Sequence, residues 1–255
     1  MEEKRSNKIA PALAWILPAL LLAILVYDGC TKSGGECLTN TGPIVTEDRG
    51  ISGFDSIHVT DYVNLLITQD SVEKVVVEAG KNIIGGISTT LAGRELFIGN
   101  NNKCNWLRDY NKPINVHISV RNLLHIYYNA SGNITSQDTL HSDSLKVEAW
   151  GGCGTIELTV RIPQGYFTLQ QGTATMILHG FCTINSIYSK DYGLIRADDL
   201  KSGYTFAKNS GSNDCYVNAS QYLEATIQSI GNIYYGGNPA ALVTHINGTG
   251  QVIPL

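Results

Sequence analysis

The sequence predicts an all-β fold: a right-handed parallel β-helix with coils of about twenty residues, preceded by an N-terminal signal or anchor helix. Three observations predict it. Glycine-led strand phrases recur at near-constant spacing beyond residue 120. The composition is rich in Gly, Asn, Ser, Thr, Val, Ile and Tyr, which suits short strands joined by tight turns. Long runs of strong helix formers are confined to the first thirty residues.

Residues 1–30 read as a targeting and anchoring segment. Lys4, Arg5 and Lys8 precede an apolar run from Ala10 to Val26, the order of a secretory signal. The run closes on Tyr27-Asp28-Gly29-Cys30. A small residue before a cysteine at that point resembles a bacterial lipoprotein signal, in which Cys30 would carry the lipid. The alternative is an uncleaved anchor; either binds the membrane by apolar burial. Residues 31–50 are rich in Gly, Ser and Thr and read as a tether.

Residues 51–119 read as an N-terminal β lobe or irregular early coils. Ile57, Val59, Val63, Leu65 and Ile67 follow a strand-like alternation. Gly85-Gly86 and Ala92-Gly93 mark turns, and residues 100–113 form the longest polar interruption.

Residues 120–255 carry the repeat. Landmark glycines fall at Gly132, Gly154, Gly172, Gly193, Gly211, Gly231 and Gly250, in steps of 22, 18, 21, 18, 20 and 19. A second strand signal lies upstream of most of them. One such coil is too small to bury its own apolar face, so coils must stack about 4.8 Å apart, pairing each strand with its counterparts above and below. Asn133 and Asn232, each between a landmark glycine and an isoleucine, are expected to join a hydrogen-bonded ladder.

Phrases in this chain resemble one family: FDSI, NLLITQDS, VVVEAG, NKCNW, SGNITS, GSNDCYVNA and SIGNIYYGGNP, in order. They resemble the GIN-domain family of autotransporter-adhesin head domains, common as lipoproteins in Bacteroidetes, over residues 44–255. The resemblance implies a β-helical fold and an adhesin-like or surface-associated role, and brings no catalytic residues. It also supports pairing Cys37 with Cys104, whose bridge would pin the tether to the first folded segment. Cys153, Cys182 and Cys215 read as small buried residues.

Composition and motifs narrow the function classes. Net charge is −4 with 16% charged residues, which excludes the basic field of a nucleic-acid binder. The six histidines show no zinc-enzyme spacing, no cysteine pair has CxxC spacing, and no phosphate loop or nucleophile elbow occurs. No metal or cofactor is expected. Asp198-Asp199 is the only adjacent acid pair in the repeats, with Asp191 and Asp214 within reach if coils stack in register; solvated loop acids are the plainer reading. His58 and His117 read as structural. Tyr127, Tyr128, Trp150, Tyr188, Tyr192, Tyr204, Tyr234 and Tyr235 recur across coils, and in each Tyr-Tyr pair one ring points out if the other points in. The outward rings would form a platform for a glycan or a protein ligand, core or cross-strand packing being the more common use of such rings. Ser56, Ser71, Thr139 and Ser144 follow an aspartate and precede an aliphatic residue, which resembles an O-glycosylation signal of exported Bacteroidetes proteins.

The expected function is a non-enzymatic cell-envelope protein, adhesin-like, held at the membrane by its N-terminal segment. An outer-membrane lipoprotein is expected over an inner-membrane anchor. The alternatives are a self-associating structural module that forms homo-oligomers, and a carbohydrate-active enzyme built on a β-helix.

Overall fold

The computed structural model describes residues 40–103 and 112–255. Cys30, Cys37 and Cys104, and with them the lipid-attachment and disulfide expectations, lie outside the described residues.

The chain forms a β-solenoid with two parallel faces. The first face is built from β2 (Ser56–Asp61), β6 (Glu95–Asn100), β8 (His125–Ala130) and β10 (Ser144–Gly152). The second is built from β3 (Asn64–Gln69), β7 (Asn115–Val120) and β9 (Ile134–His141). Three long strands then serve both faces: β11 (Thr155–Leu169), β12 (Thr175–Ser189) and β13 (Leu194–Asn209). Their first halves extend the second face and their second halves the first. Pro163 sits where β11 bends between the faces, outside the paired register, where its missing N–H costs no ladder bond. Then β14 (Cys215–Asn218), β16 (Ile233–Gly236) and β18 (Val252–Pro254) complete the second face. The first is completed by β15 (Tyr222–Ile227) and β17 (Ala241–Ile246).

Rung order in space differs from chain order at the start. Strand β2 pairs in parallel with β6 on one side and β8 on the other, and β3 does the same with β7 and β9. The earliest coil is therefore the second rung. Below β6 and β7 the stack turns antiparallel: β5 (Ile87–Ala92) pairs β6, β4 (Lys74–Gly80) pairs β7, and β1 (Ile44–Asp48) pairs β4.

Alternation places one set of side chains inside. On the second face Val116, Leu65, Ile134, Ile156, Met176, Ile195, Cys215 and Ile233 stack as a single buried column. Each fully buried aliphatic side chain contributes roughly 1.5–3 kcal/mol of transfer free energy. The column also shows why Cys215 is there: it takes the place of an aliphatic residue in the ladder.

The glycine landmarks resolve into two columns. Gly154 lies directly over Gly132, and a Cβ on it would sit 2.1 Å from the Gly132 carbonyl oxygen. That column continues through Ala174, Gly193, Asn213, Gly231 and Gly250. Gly172 and Gly211 belong to a neighbouring column, over Gly152 and Asp191. Mixing the two columns produced the uneven 18- and 21-residue steps; the true register shifts by 18 to 20 residues per rung in the regular region, as from Ile195 to Cys215 and on to Ile233.

The asparagine ladder forms, in two stretches. Asn64 Nδ2 donates to Asn115 Oδ1 at 3.1 Å, the Asn133 N–H to Asn64 Oδ1 at 2.9 Å, and the Thr155 N–H to Asn133 Oδ1 at 2.9 Å. Higher up, the Asn232 N–H donates to Asp214 Oδ1 and the Gln251 N–H to Asn232 Oδ1, both at 2.9 Å. Thr155, Thr175 and Leu194 occupy the rungs between, where no side-chain amide reaches the next backbone.

Candidate binding surfaces

The aromatic residues singled out from the sequence do not form one platform. Tyr128 is fully buried: its hydroxyl donates to the Gly132 carbonyl at 2.8 Å and accepts from the Gly154 N–H at 3.0 Å. It is a corner bolt of the core, not a surface residue. Its partner Tyr127 points out and packs tilted against His58, ring centroids 4.1 Å apart, while His58 meets Phe97 at 5.0 Å. The other pair divides in the same way. Tyr234 stacks outward on Tyr216 at 4.9 Å, with the Arg196 guanidinium 5.0 Å from the Tyr216 ring, and Tyr235 packs against the core. Trp150 and Tyr192 stand at the corner where the first face turns into the second.

The first face holds the denser aromatic set, most of which the sequence did not disclose. Tyr204 pairs with Tyr222 on the next rung, and Phe206 meets the Tyr222 ring at 5.7 Å. Tyr166 shares an outward column with Phe206 two rungs away, and Tyr188 lies beside them with the Lys208 ammonium 5.6 Å from its ring. Tyr166, Tyr204 and Phe206 are 42%, 40% and 41% exposed, high for aromatic side chains within a continuous sheet. Burial and a hydrogen bond to Glu224 raise the Tyr222 phenol above its ordinary pKa, so it stays neutral across the physiological range. Periodic spacing alone could have flagged Tyr166 and Phe206, forty residues apart, once the twenty-residue register was known.

At the corner lies a trough of about 740 Å³ that crosses the successive turns from Gly151 to Ser229. Asp191 adopts a left-handed backbone, φ 71°, which a short polar side chain tolerates. Its Oδ2 accepts the Gly172 N–H at 3.1 Å, and its carbonyl accepts the Ser212 N–H at 2.9 Å. These bonds fix the turn that presents Tyr192, whose own carbonyl accepts from Asn213 Nδ2 at 3.3 Å.

Asp198, Asp199, Asp191 and Asp214 each take a different partner. Asp198 occupies an irregularity in the β12–β13 pairing and bonds Arg196 at 3.1 Å; burial opposes its ionisation, but Arg196 holds the carboxyl below its ordinary value. Asp199 bonds His179 at 2.9 Å. Asp191 serves the trough turn and Asp214 the asparagine ladder. His117 bonds Glu78 at 3.0 Å and His125 bonds Glu148 at 2.9 Å, cross-strand structural uses. Among the described residues no group of three or more His, Cys, Asp or Glu side chains could hold a metal ion. Cys182 and Cys215 are buried, and burial pushes their thiols up to about 11 and about 12. Cys153 is exposed, contrary to expectation, because it follows Gly152 out of the sheet into the corner turn.

Residues 53–239 match the profile of the family described as "Putative auto-transporter adhesin, head GIN domain". The chain belongs to this family. No curated protein matches the sequence. Among solved structures, a "putative adhesin" from Bacteroides fragilis NCTC 9343 aligns with TM-score 0.76 at 21% identity, covering 84% of this chain and 97% of that one. A "putative adhesin" from Parabacteroides merdae ATCC 43184 aligns with TM-score 0.65 at 19% identity, over 84% and 98% of the two chains. A "Putative lipid binding protein" from Parabacteroides distasonis ATCC 8503 aligns with TM-score 0.59 at 17% identity, over 85% and 99%. At these identities the likeness shows the fold, and the GIN domain's surfaces must be read from its own residues.

Within the GIN domain the four hydroxyls that follow an aspartate are placed unequally. Ser71 is exposed in the turn after β3, its hydroxyl bonded to Asp70 at 3.2 Å. Ser56, Thr139 and Ser144 are half-buried within strands.

Proposed function

We propose that this chain is a non-enzymatic, adhesin-like binding module of the cell envelope, and that the aromatic first face is its contact surface for a protein partner. The outward rings on one sheet carry this reading, with Tyr166, Tyr204 and Phe206 exposed and Tyr188 and Tyr222 half-buried beside them. Aromatic rings with a few cations are the residues that dominate protein interface cores, and a face held by ladders on both sides loses little entropy on docking. The basic residues and apolar run ending at Cys30 support export and a lipid or helical tether to the membrane. The family's name supports the adhesin-like role.

The test is retention of cells exporting the full chain on fibronectin-coated and collagen-coated surfaces. Cells carrying the native chain should be held above a strain lacking it on at least one coating. A chain carrying Tyr204→Ser, Phe206→Ser and Tyr222→Ser should lose that advantage. Equal retention of the native and triple-substituted strains would sink the proposal.

A second reading, end-to-end self-association of two copies, is favoured by one observation. Leu242 and Ile246 in β17 are 42% and 52% exposed, whereas their neighbours in the previous rung, Leu223 and Ile227, are fully buried. Strand β17 carries no lysine, glutamate or proline of the kind that blunts an edge. Sedimentation equilibrium should then show a dimer that Leu242→Lys dissociates; a monomer at every concentration would exclude it.

A further inference from the structure

We infer that the corner trough is a second, separate binding site, and that it takes an uncharged, hydroxyl-rich oligosaccharide. The site is independent of the aromatic first face, and the argument rests on which polar groups are committed and which are free.

Many polar side chains of the solenoid bond a neighbour on the adjacent rung. His117 and His125 bond carboxylates, and Asn64 and Asn232 accept from backbone N–H groups, while Arg196 bonds Asp198 on its own strand. The backbone of the trough is satisfied too, by bonds such as Gln170 N to Ala149 O and Ser210 N to Ser189 O, both 2.8 Å. Three long side chains that stand together there carry no such bond. Gln170, Gln171 and Lys190 line the trough and make no side-chain hydrogen bond or ion pair among the described residues. Beside them Tyr192 is 62% exposed, the most exposed tyrosine among the described residues, with its ring free on the trough wall.

The chemistry of this set selects the ligand class. Two carboxamides and an ammonium offer several donors and two acceptors, the mixed pattern that vicinal hydroxyls satisfy. One lysine and one aspartate leave no net charge, so a polyanion or a polycation finds no field to steer it. An exposed phenol face beside the amides supplies the apolar stacking surface that the C–H face of a pyranose ring requires. The trough follows the rungs, and its floor repeats about every 4.8 Å. Gln170, Lys190 and Ser210 each begin the turn that leaves the first face on consecutive rungs. A linear sugar chain running along the stack would therefore meet a similar polar environment at each step. An extended peptide is the less suited occupant, because the ladder bonds it would seek are already made within the turns.

The experiment is titration calorimetry of the full chain with cellohexaose, xylohexaose, mannohexaose and chitohexaose, each at millimolar concentration. At least one should bind the native chain. Tyr192→Ala should weaken that binding ~10-fold or more, as expected for loss of an aromatic anchor, and so should the pair Gln170→Ala with Gln171→Ala. Tyr204→Ala, on the first face, should leave the affinity unchanged. Circular dichroism of each variant should match the native chain, because the substituted side chains stand outside the core. Absence of binding by all four sugars, or binding that survives Tyr192→Ala, would overturn the assignment. Loss of binding in Tyr204→Ala would move the sugar to the first face and overturn it equally. None of these outcomes bears on retention of cells by a protein-coated surface, so the two readings fail separately.

Discussion

Tyr128→Phe removes one oxygen from the core and nothing else. The ring sits in the buried first-face column between Val59 and Ala149, and phenylalanine fills the same space. The oxygen accepts from the Gly154 N–H and donates to the Gly132 carbonyl, stapling two turns on adjacent rungs. Without it, two buried backbone groups lose a partner at a site closed to solvent. Each unsatisfied group costs about 1–3 kcal/mol, so the variant should lose about 2–6 kcal/mol. Urea unfolding followed by circular dichroism reads this as a lower midpoint. The pH dependence gives a second, sharper readout. Burial pushes the Tyr128 phenol up to about 12. A folded pKa raised above the unfolded one stabilises fully below the unfolded value, near 10, and the benefit is lost as pH rises toward 12. The gap between native and Tyr128→Phe midpoints should therefore be constant below pH 10 and narrow above it. Cys182 and Cys215 also lose stability on the alkaline side, but equally in both proteins, so the difference isolates Tyr128. A loss below about 0.5 kcal/mol, the range of an inert surface change, would refute the stapling role, as would a gap that stays constant through pH 12.

Three further outcomes follow from the same register. Gly154→Ala would drive its Cβ to 2.1 Å from the Gly132 carbonyl oxygen and should abolish soluble expression or cut the melting temperature sharply, whereas Gly85→Ala, which meets open space, should change stability by less than about 1 kcal/mol. Asn185 is fully buried with neither side-chain polar atom bonded, so Asn185→Leu should raise the urea midpoint, by about 1–2 kcal/mol in stability; a lowered midpoint would mean that the amide has a partner. Burial works against ionisation of Asp55, but hydrogen bonds from Arg94 and Ser56 hold its pKa below the ordinary value. A depressed carboxylate stabilises above about pH 4 and the benefit is lost as pH falls through its lower folded value, so Arg94→Ala should lower stability at neutral pH, leave it unchanged at strongly acid pH, and thereby flatten the acid limb of a stability–pH profile.

What the sequence disclosed and what it hid divide along a physical line. Coil length, the asparagine ladder and the in–out split of each Tyr-Tyr pair depend on local periodicity, and they are visible in one dimension. The first-face aromatic cluster depends on register between rungs. Tyr204 and Tyr222 are eighteen residues apart, while Tyr166 and Phe206 are forty apart, so a fixed step of twenty brings only the second pair into line. Gly172 and Gly211 misled for the same reason: they look like the other landmarks but sit in a neighbouring column. The placement of β6 and β7 outside β2 and β3 reverses the order in which the chain visits the stack, which no periodicity reports. The inward polar residues of the middle rungs, Asn185, Ser189, Thr205 and Asn209, read as surface positions by type. They are held inside by strict alternation with their aliphatic neighbours. Some are satisfied locally, as where Ser202 and Thr205 both donate to the Asn218 carbonyl.

Binding through the aromatic first face is tested most directly by surface plasmon resonance of the full chain over immobilised fibronectin and collagen. Three proteins are compared: the native chain, the Tyr204→Ser, Phe206→Ser, Tyr222→Ser variant, and Tyr192→Ala. The native chain and Tyr192→Ala should bind one of the two surfaces with the same affinity, and the triple variant should lose ~100-fold or more, because removing clustered aromatic anchors removes most of an interface's binding energy. A triple variant that binds as tightly as the native chain would contradict it.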